Sequence, residues 1–227
     1  MLWLSVVIQK TSLIRATKFL KTTIKMIELL KTFFFLFAVI DPLGSIPIFL
    51  EATKHFDDHV KKKIAIKASA IAAGILLFFI IIGQVIMESM HITLPAFQIS
   101  GGIILFLFAL TMVFGHGKVE DEKHLLKDFE HVTIFPIAIP SIASPGAIMA
   151  VVLATDNYTY SIGQQFYTTL VVLLVVAATC LLLLAARKIQ STIGEAGIIV
   201  ISKIMGLIIA SFAVQSVLTG IKVYFGL

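Results

Sequence analysis

The sequence predicts an all-α integral membrane protein with six transmembrane helices, arranged as two inverted three-helix repeats with interrupted spans 1 and 4. Three observations support this fold class: an apolar composition, six apolar segments of membrane length, and a proline motif that occurs in both halves of the chain. Hydrophobic residues make up 59% of the 227 residues and charged residues only 14%, and the mean hydropathy is +1.03. Because a soluble domain carries about 25% charged residues, this composition favours a membrane protein.

Short polar loops separate the six apolar segments. About 20 apolar residues cross a bilayer as a helix, which satisfies its own backbone hydrogen bonds there. No linker is long enough to separate soluble domains, so residues 26–227 are predicted to form one membrane domain, with repeat one at 26–115 and repeat two at 132–225. The predicted spans lie at 29–50, 66–87, 95–114, 132–155, 166–186 and 197–221.

The charges between the spans predict the orientation. The loops after spans 1, 3 and 5 contain ten lysines and arginines, whereas the loops after spans 2 and 4 contain none. Basic loops stay in the cytoplasm, so both termini are expected in the periplasm of a bacterial inner membrane. Contact of these loops with anionic lipid explains the net charge of +5, and nucleic acid is not expected as a partner. The ten residues are Lys54, Lys61, Lys62, Lys63, Lys67, Lys118, Lys123, Lys127, Arg187 and Lys188.

Residues 1–25 conflict with this orientation. The segment contains five lysines and arginines, which prefer the cytoplasm. It lacks the order of a signal peptide, because its basic residues follow its apolar start. We therefore interpret it as a dispensable or mis-annotated extension before Met26. A surface amphipathic helix is the alternative.

The first span contains an acid and a proline at its centre, in FFFLFAVIDPLGSIPIFLEA at 33–52. A carboxylate at the bilayer centre costs roughly 2.5–3.5 kcal/mol on insertion scales, and Asp41 lies near that depth. Pro42 lacks an N–H group and clashes with the preceding turn, which predicts a break in the helix beside the acid. Broken backbone at membrane depth is tolerated only within protein or beside a water-filled cavity. The break therefore indicates a site for a solute or an ion.

The second half repeats this arrangement in the fourth span, where Ser144 precedes Pro145. Asp and Ser are both good N-cap residues, and proline fits the first helical position, so half-helices are predicted to restart at Pro42 and Pro145. Three spans per repeat give the two repeats opposite orientations, as in many secondary transporters. The free N–H groups of two half-helices favour an anion such as a carboxylate. Asp41 favours an ammonium group, a proton or a cation, and together these groups suit a zwitterion.

The predicted substrate-binding residues surround the two breaks. Proline kinks and serines also occur in membrane helices only for packing, but the matched breaks and the intramembrane acid favour a site. Lys203, in span 6, has two open roles: it either extends its ammonium group to the interface or pairs with Asp41 or a substrate carboxylate. The residues predicted around the breaks are Asp41, Pro42, Gly44, Ser45, Ser141, Ser144, Pro145 and Gly146.

The sequence gives little support for a catalytic site or a metal-binding site. The chain contains none of the HExxH, P-loop or GxSxG patterns that indicate hydrolases or nucleotide sites. The six histidines have no convincing ligand spacing. The sequence therefore predicts no enzyme activity, no bound metal and no cofactor.

Five segments resemble the MarC family of six-span bacterial inner-membrane proteins, and the resemblance covers nearly all of residues 26–227. It implies a LysE-like helical bundle that transports small neutral amino acids. The segments that carry it are MIELL at 26–30, IDPLGSIPIFL at 40–50, ISGGIILFLFALTM at 99–112, IPSIASPGAI at 139–148 and KIMGLIIASFAVQ at 203–215.

These observations predict a secondary transporter whose partners are a small zwitterionic solute and the lipid bilayer. Two alternatives stay open: a channel or exporter for another small metabolite, and a membrane scaffold that transports nothing. Coupling to a proton or sodium gradient, the direction of transport and assembly into a homo-oligomer are also left open.

Overall fold

The computed structural model describes residues 26–115 and 128–226, and the prediction of a dispensable extension falls on residues 1–25, which lie outside them. Four of the described helices are each long and apolar enough to cross a membrane, and two bent helix pairs bring the number of candidate spans to six. The first pair is bent by 40° and the second by 53°. The helices are α1 (Met26–Ile40), α2 (Ser45–Ala52), α3 (Asp58–Ser89), α4 (Leu94–Phe114), α5 (Phe129–Ile142), α6 (Pro145–Ala154), α7 (Ile162–Leu184) and α8 (Ala186–Phe225).

The prediction of a six-span all-α protein with interrupted spans 1 and 4 is confirmed. The interrupted spans are the pairs α1–α2 and α5–α6. In α5, the segment Thr133–Ile142 is wound as a π-helix with non-helical backbone at Phe135 and Ile139. Each of these residues precedes a proline, which disfavours helical geometry in the residue before it.

Helices α3 and α8 begin earlier than the apolar pattern predicts. The predicted spans 66–87 and 197–221 cover only the apolar parts of helices that begin at Asp58 and Ala186. Their first turns are polar, and lysine and arginine are good helix formers. Gly194 interrupts α8 with a φ of 78°, a left-handed conformation that suits glycine.

The two repeats have opposite orientations in the structure. Gly102 of α4 lies against Val217 of α8, whereas Gly206 of α8 lies against Met112 of α4. Residue numbers therefore rise along one helix as they fall along the other, so spans 3 and 6 are antiparallel. Each of these helices is the third span of its repeat, so the repeats are inverted.

Glycines allow α4 and α8 to approach closely. A Cβ atom at Gly102 would lie 2.9 Å from the carbonyl oxygen of Ala213, and one at Gly206 would lie 3.1 Å from that of Ala109. Small residues bring helix backbones together in membranes, where packing drives association. This pair of third spans also supplies one wall of the cavity described below.

Apolar side chains cover both the interior and much of the outside of the bundle. Leu36, Leu76 and Ile209 are fully buried in the core. Large side chains such as Leu107 and Leu181 are exposed on the outer faces of their helices. A bilayer solvates such an outer surface, so the structure is that of an integral multi-pass membrane protein.

Candidate functional site

Asp41 lies at the break in the first span and forms hydrogen bonds with the residues that follow it. Its backbone is left-handed, with a φ of 48°, which Asp tolerates better than most residues. The Asp41 Oδ1 atom accepts a hydrogen bond from the Gly44 N–H at 3.0 Å, and the Asp41 carbonyl accepts one from the Ser45 N–H at 3.1 Å. The carboxylate is therefore held in place at the start of a half-helix.

The first half-helix begins at Ser45, so the predicted restart at Pro42 is wrong by three residues. Pro42–Gly44 form a turn. The left-handed backbone of Asp41 redirects the chain, and the turn precedes regular helical geometry.

The second break follows the prediction. Helix α6 begins at Pro145, and the Oγ atom of its N-cap, Ser144, accepts a hydrogen bond from the Ala147 N–H at 3.0 Å. Ser144 is fully buried. The hydroxyl group therefore satisfies a backbone donor that has no intrahelical partner.

The two breaks meet inside the bundle. The Ser141 Oγ atom, just before the second break, donates a hydrogen bond to the Ser45 Oγ atom, just after the first, at 2.8 Å. Both serines are buried. Residues that are far apart in sequence and belong to opposite repeats thus form one polar centre.

A cavity of about 920 Å³ borders this centre. Four of the residues predicted around the breaks line it, namely Asp41, Gly44, Ser45 and Ser141, and so does Lys203. The cavity draws on both repeats, because its other walls come from α4 and α8. Further lining residues are Glu51, Phe108, Thr111, Met112, Gln190, Glu195 and Ser202.

The other four predicted residues, Pro42, Ser144, Pro145 and Gly146, do not line this cavity. A Cβ atom at Gly146 would lie 2.8 Å from the ring of Phe108. Phe108 itself lines the cavity, so Gly146 packs against one of the lining residues. The half-helix α2 therefore borders the cavity along most of its length, whereas the first residues of α6 do not line it.

Ser202 is the most informative residue that the sequence analysis missed. Its Oγ atom lies 3.2 Å from the Asp41 Oδ1 atom, to which it donates a hydrogen bond. It adjoins Lys203 in the chain, but a serine in a transmembrane helix usually indicates packing. The polar residues Gln190, Glu195 and Ser202 of α8 were the available signal, and all three line the cavity.

Acidic side chains outnumber basic ones around the cavity. Asp41, Glu51 and Glu195 carry carboxylates, whereas Lys203 is the one lysine or arginine among the lining residues. Glu51 forms an ion pair with Lys54 at 2.5 Å, which offsets part of the negative charge. The lining residues therefore have a small excess of negative charge.

Lys203 has a position that fits either of its predicted roles. It is an exposed residue of α8 and lines the same cavity as Asp41. Its pairing with Asp41 or with a substrate carboxylate stays a prediction. Within residues 26–115 and 128–226, there is no group of three His, Cys, Asp or Glu side chains that could hold a metal ion.

Comparisons with known proteins give one matching family and several relatives. The profile of a family described as MarC family integral membrane protein matches residues 26–225. A UPF0056 membrane protein of Methanocaldococcus jannaschii is 33% identical over 190 residues, which cover 82% of this chain and 92% of that protein. A Pyrococcus horikoshii relative with the same description is 33% identical over 209 residues, covering 89% and 100%. One from Buchnera aphidicola is 30% identical over 200 residues, covering 88% and 99%. No solved structure matches significantly.

Proposed function

The chain belongs to the MarC family of integral membrane proteins, and on that premise we propose that it is a secondary transporter of small solutes, chiefly small neutral amino acids. One observation carries the proposal: an acid at a helix break, within a membrane domain, lines a cavity to which both inverted repeats contribute. Inverted repeats with broken helices and a site between them are the usual construction of secondary transporters.

The chemistry of the cavity suits a zwitterion. The Asp41 carboxylate accepts hydrogen bonds from an ammonium group, and Lys203 attracts a carboxylate. The hydroxyl groups of Ser45, Ser141 and Ser202 donate or accept hydrogen bonds to either end of the solute. We propose no enzyme activity, and we place the protein in the cytoplasmic membrane with both termini in the periplasm.

The orientation gives the first test. Because all ten basic residues of the internal loops lie in alternate loops, the positive-inside rule predicts a periplasmic C-terminus. A C-terminal alkaline phosphatase fusion should be active in a bacterial host, and a C-terminal green fluorescent protein fusion should be dark. The reverse pattern would overturn the proposed orientation.

Competition for transport tests the solute class. In proteoliposomes loaded with unlabelled alanine, the protein should exchange external labelled alanine in a saturable manner. Glycine and serine should inhibit this counterflow at concentrations roughly tenfold lower than leucine and phenylalanine do. Discrimination by pocket size is of this order. Vesicles without the protein provide the control for leak. Equal competition by leucine and serine would exclude a pocket for small zwitterions.

The size of the cavity favours a second candidate, transport of another small metabolite. A volume of about 920 Å³ is near the upper end of the roughly 300–1,000 Å³ found for pockets that bind drug-sized molecules. It would admit a solute larger than alanine. Flux of such a metabolite through the protein, without saturable exchange of alanine, would favour a channel or an exporter. A scaffold would show neither activity.

A further inference from the structure

A second, smaller cavity of about 200 Å³ lies where the ends of four helices meet. Its lining comes from the end of α2, the first turn of α3, the end of α7 and the start of α8. These are the ends of spans, which lie at the depth of the lipid headgroups. The cavity is therefore separate from the polar centre at the helix breaks, although Leu50 borders both.

Basic side chains surround this second cavity. Lys61, Lys62 and Arg187 line it, and Asp58 is the one acid among the lining residues. The Asp58 carboxylate lies 3.8 Å from Lys61 Nζ and 3.4 Å from Arg187 Nη1. Lys62 takes part in none of the ion pairs found in the described part of the chain. Three cations against one carboxylate leave an excess of two positive charges.

The rest of the lining is apolar. It consists of Phe49 and Leu50 of α2, Leu183 and Leu184 of α7, and Ala186 of α8. A basic rim on an apolar base matches a molecule that carries a phosphate at one end and hydrocarbon at the other. Basic pockets between helices at the cytoplasmic side of membrane proteins bind the headgroups of anionic lipids. A free phosphate ion would use the basic rim but gain nothing from the apolar base.

We infer that this cavity is a binding site for an anionic phospholipid. The phosphodiester contacts Lys61, Lys62 and Arg187, and the start of an acyl chain lies against Leu183 and Leu184. The inference depends on the membrane location of the protein and not on the solute that it transports.

A pair of matched double variants tests the site. Lys62→Gln/Arg187→Gln removes two charges from the cavity. Lys63→Gln/Lys188→Gln removes two charges from the next residues along the chain, which are also exposed but do not line it. Each purified protein is titrated in detergent with phosphatidylglycerol and with phosphatidylcholine, and bound lipid is counted by native mass spectrometry. The phosphatidylglycerol titration is repeated with inorganic phosphate as a competitor.

The wild-type protein should bind phosphatidylglycerol in preference to phosphatidylcholine, and excess phosphate should not displace it. The cavity variant should bind phosphatidylglycerol roughly tenfold or more weakly, the order expected for the loss of two basic contacts, whereas the neighbouring variant should match the wild type. Equal binding of the two lipids, displacement by phosphate, or an equal loss in both double variants would each overturn the inference.

Discussion

Replacing Asp41 with Asn should lower transport by roughly ten- to a hundredfold, while expression and membrane insertion persist. An Asn side chain has nearly the same shape, and its oxygen can accept the hydrogen bonds that Gly44 N–H and Ser202 Oγ donate to Asp41. The substitution therefore removes the charge and little else. Hydrogen bonds to a charged group contribute about 1.5–3 kcal/mol, which sets the expected loss. Initial rates of labelled-solute uptake in proteoliposomes measure it.

Asp57→Asn provides the control for this variant. Asp57 is an exposed residue at the N-cap of α3 and does not line the cavity. Asp57→Asn makes the same chemical change on the surface and away from the cavity. The transport rate of this variant should therefore stay within about twofold of the wild type, as is usual for surface substitutions. If Asp41→Asn transports as well as Asp57→Asn, Asp41 has no role in binding the solute and the proposed site is wrong.

The helix breaks could be predicted from the sequence because their signals are local. A proline after an N-cap residue restricts its neighbours wherever it occurs, and Ser144 and Pro145 behave as that pattern predicts. The start of the half-helix after Asp41 was predicted too early, because it depends on the φ angle of Asp41. A left-handed Asp at this position cannot be distinguished by sequence from a regular N-cap.

The walls of the cavity could not be predicted from the sequence. Ser202 contacts Asp41 across 161 residues of chain, and only the packing of spans from opposite repeats brings them together. In a membrane, both the lipid-facing and the buried sides of a helix are apolar, so hydropathy does not reveal which side faces a cavity. Phe108 illustrates the limit, since it lines the cavity and its ring lies against Gly146. Nothing in the sequence around Phe108 or Gly146 indicates that these two residues are in contact.

Changing Gly44 to Ala should also reduce transport, by roughly tenfold or more, because a methyl group there collides with the Asp41 carboxylate. The added Cβ atom would lie 2.7 Å from Asp41 Cγ and 2.8 Å from Ser202 Oγ. Gly44 has a φ of −65° and a ψ of −20°, which alanine adopts without strain, so the collision alone displaces the carboxylate. The loss of one hydrogen bond between the solute and the charged Asp41 side chain accounts for the expected decrease in transport. Uptake rates in proteoliposomes provide the measurement.

Gly74→Ala is the matched control, since a Cβ atom at Gly74 in α3 would meet no atom within 4 Å. This variant should keep the transport rate of the wild type. A double variant then identifies the cause of the loss. If Gly44→Ala acts by displacing the Asp41 carboxylate, it should cost little more in an Asp41→Asn background, because contacting residues are not additive. Additive losses would mean that Gly44 acts independently of Asp41, and full transport by Gly44→Ala would show that the carboxylate need not occupy the position seen in the structure.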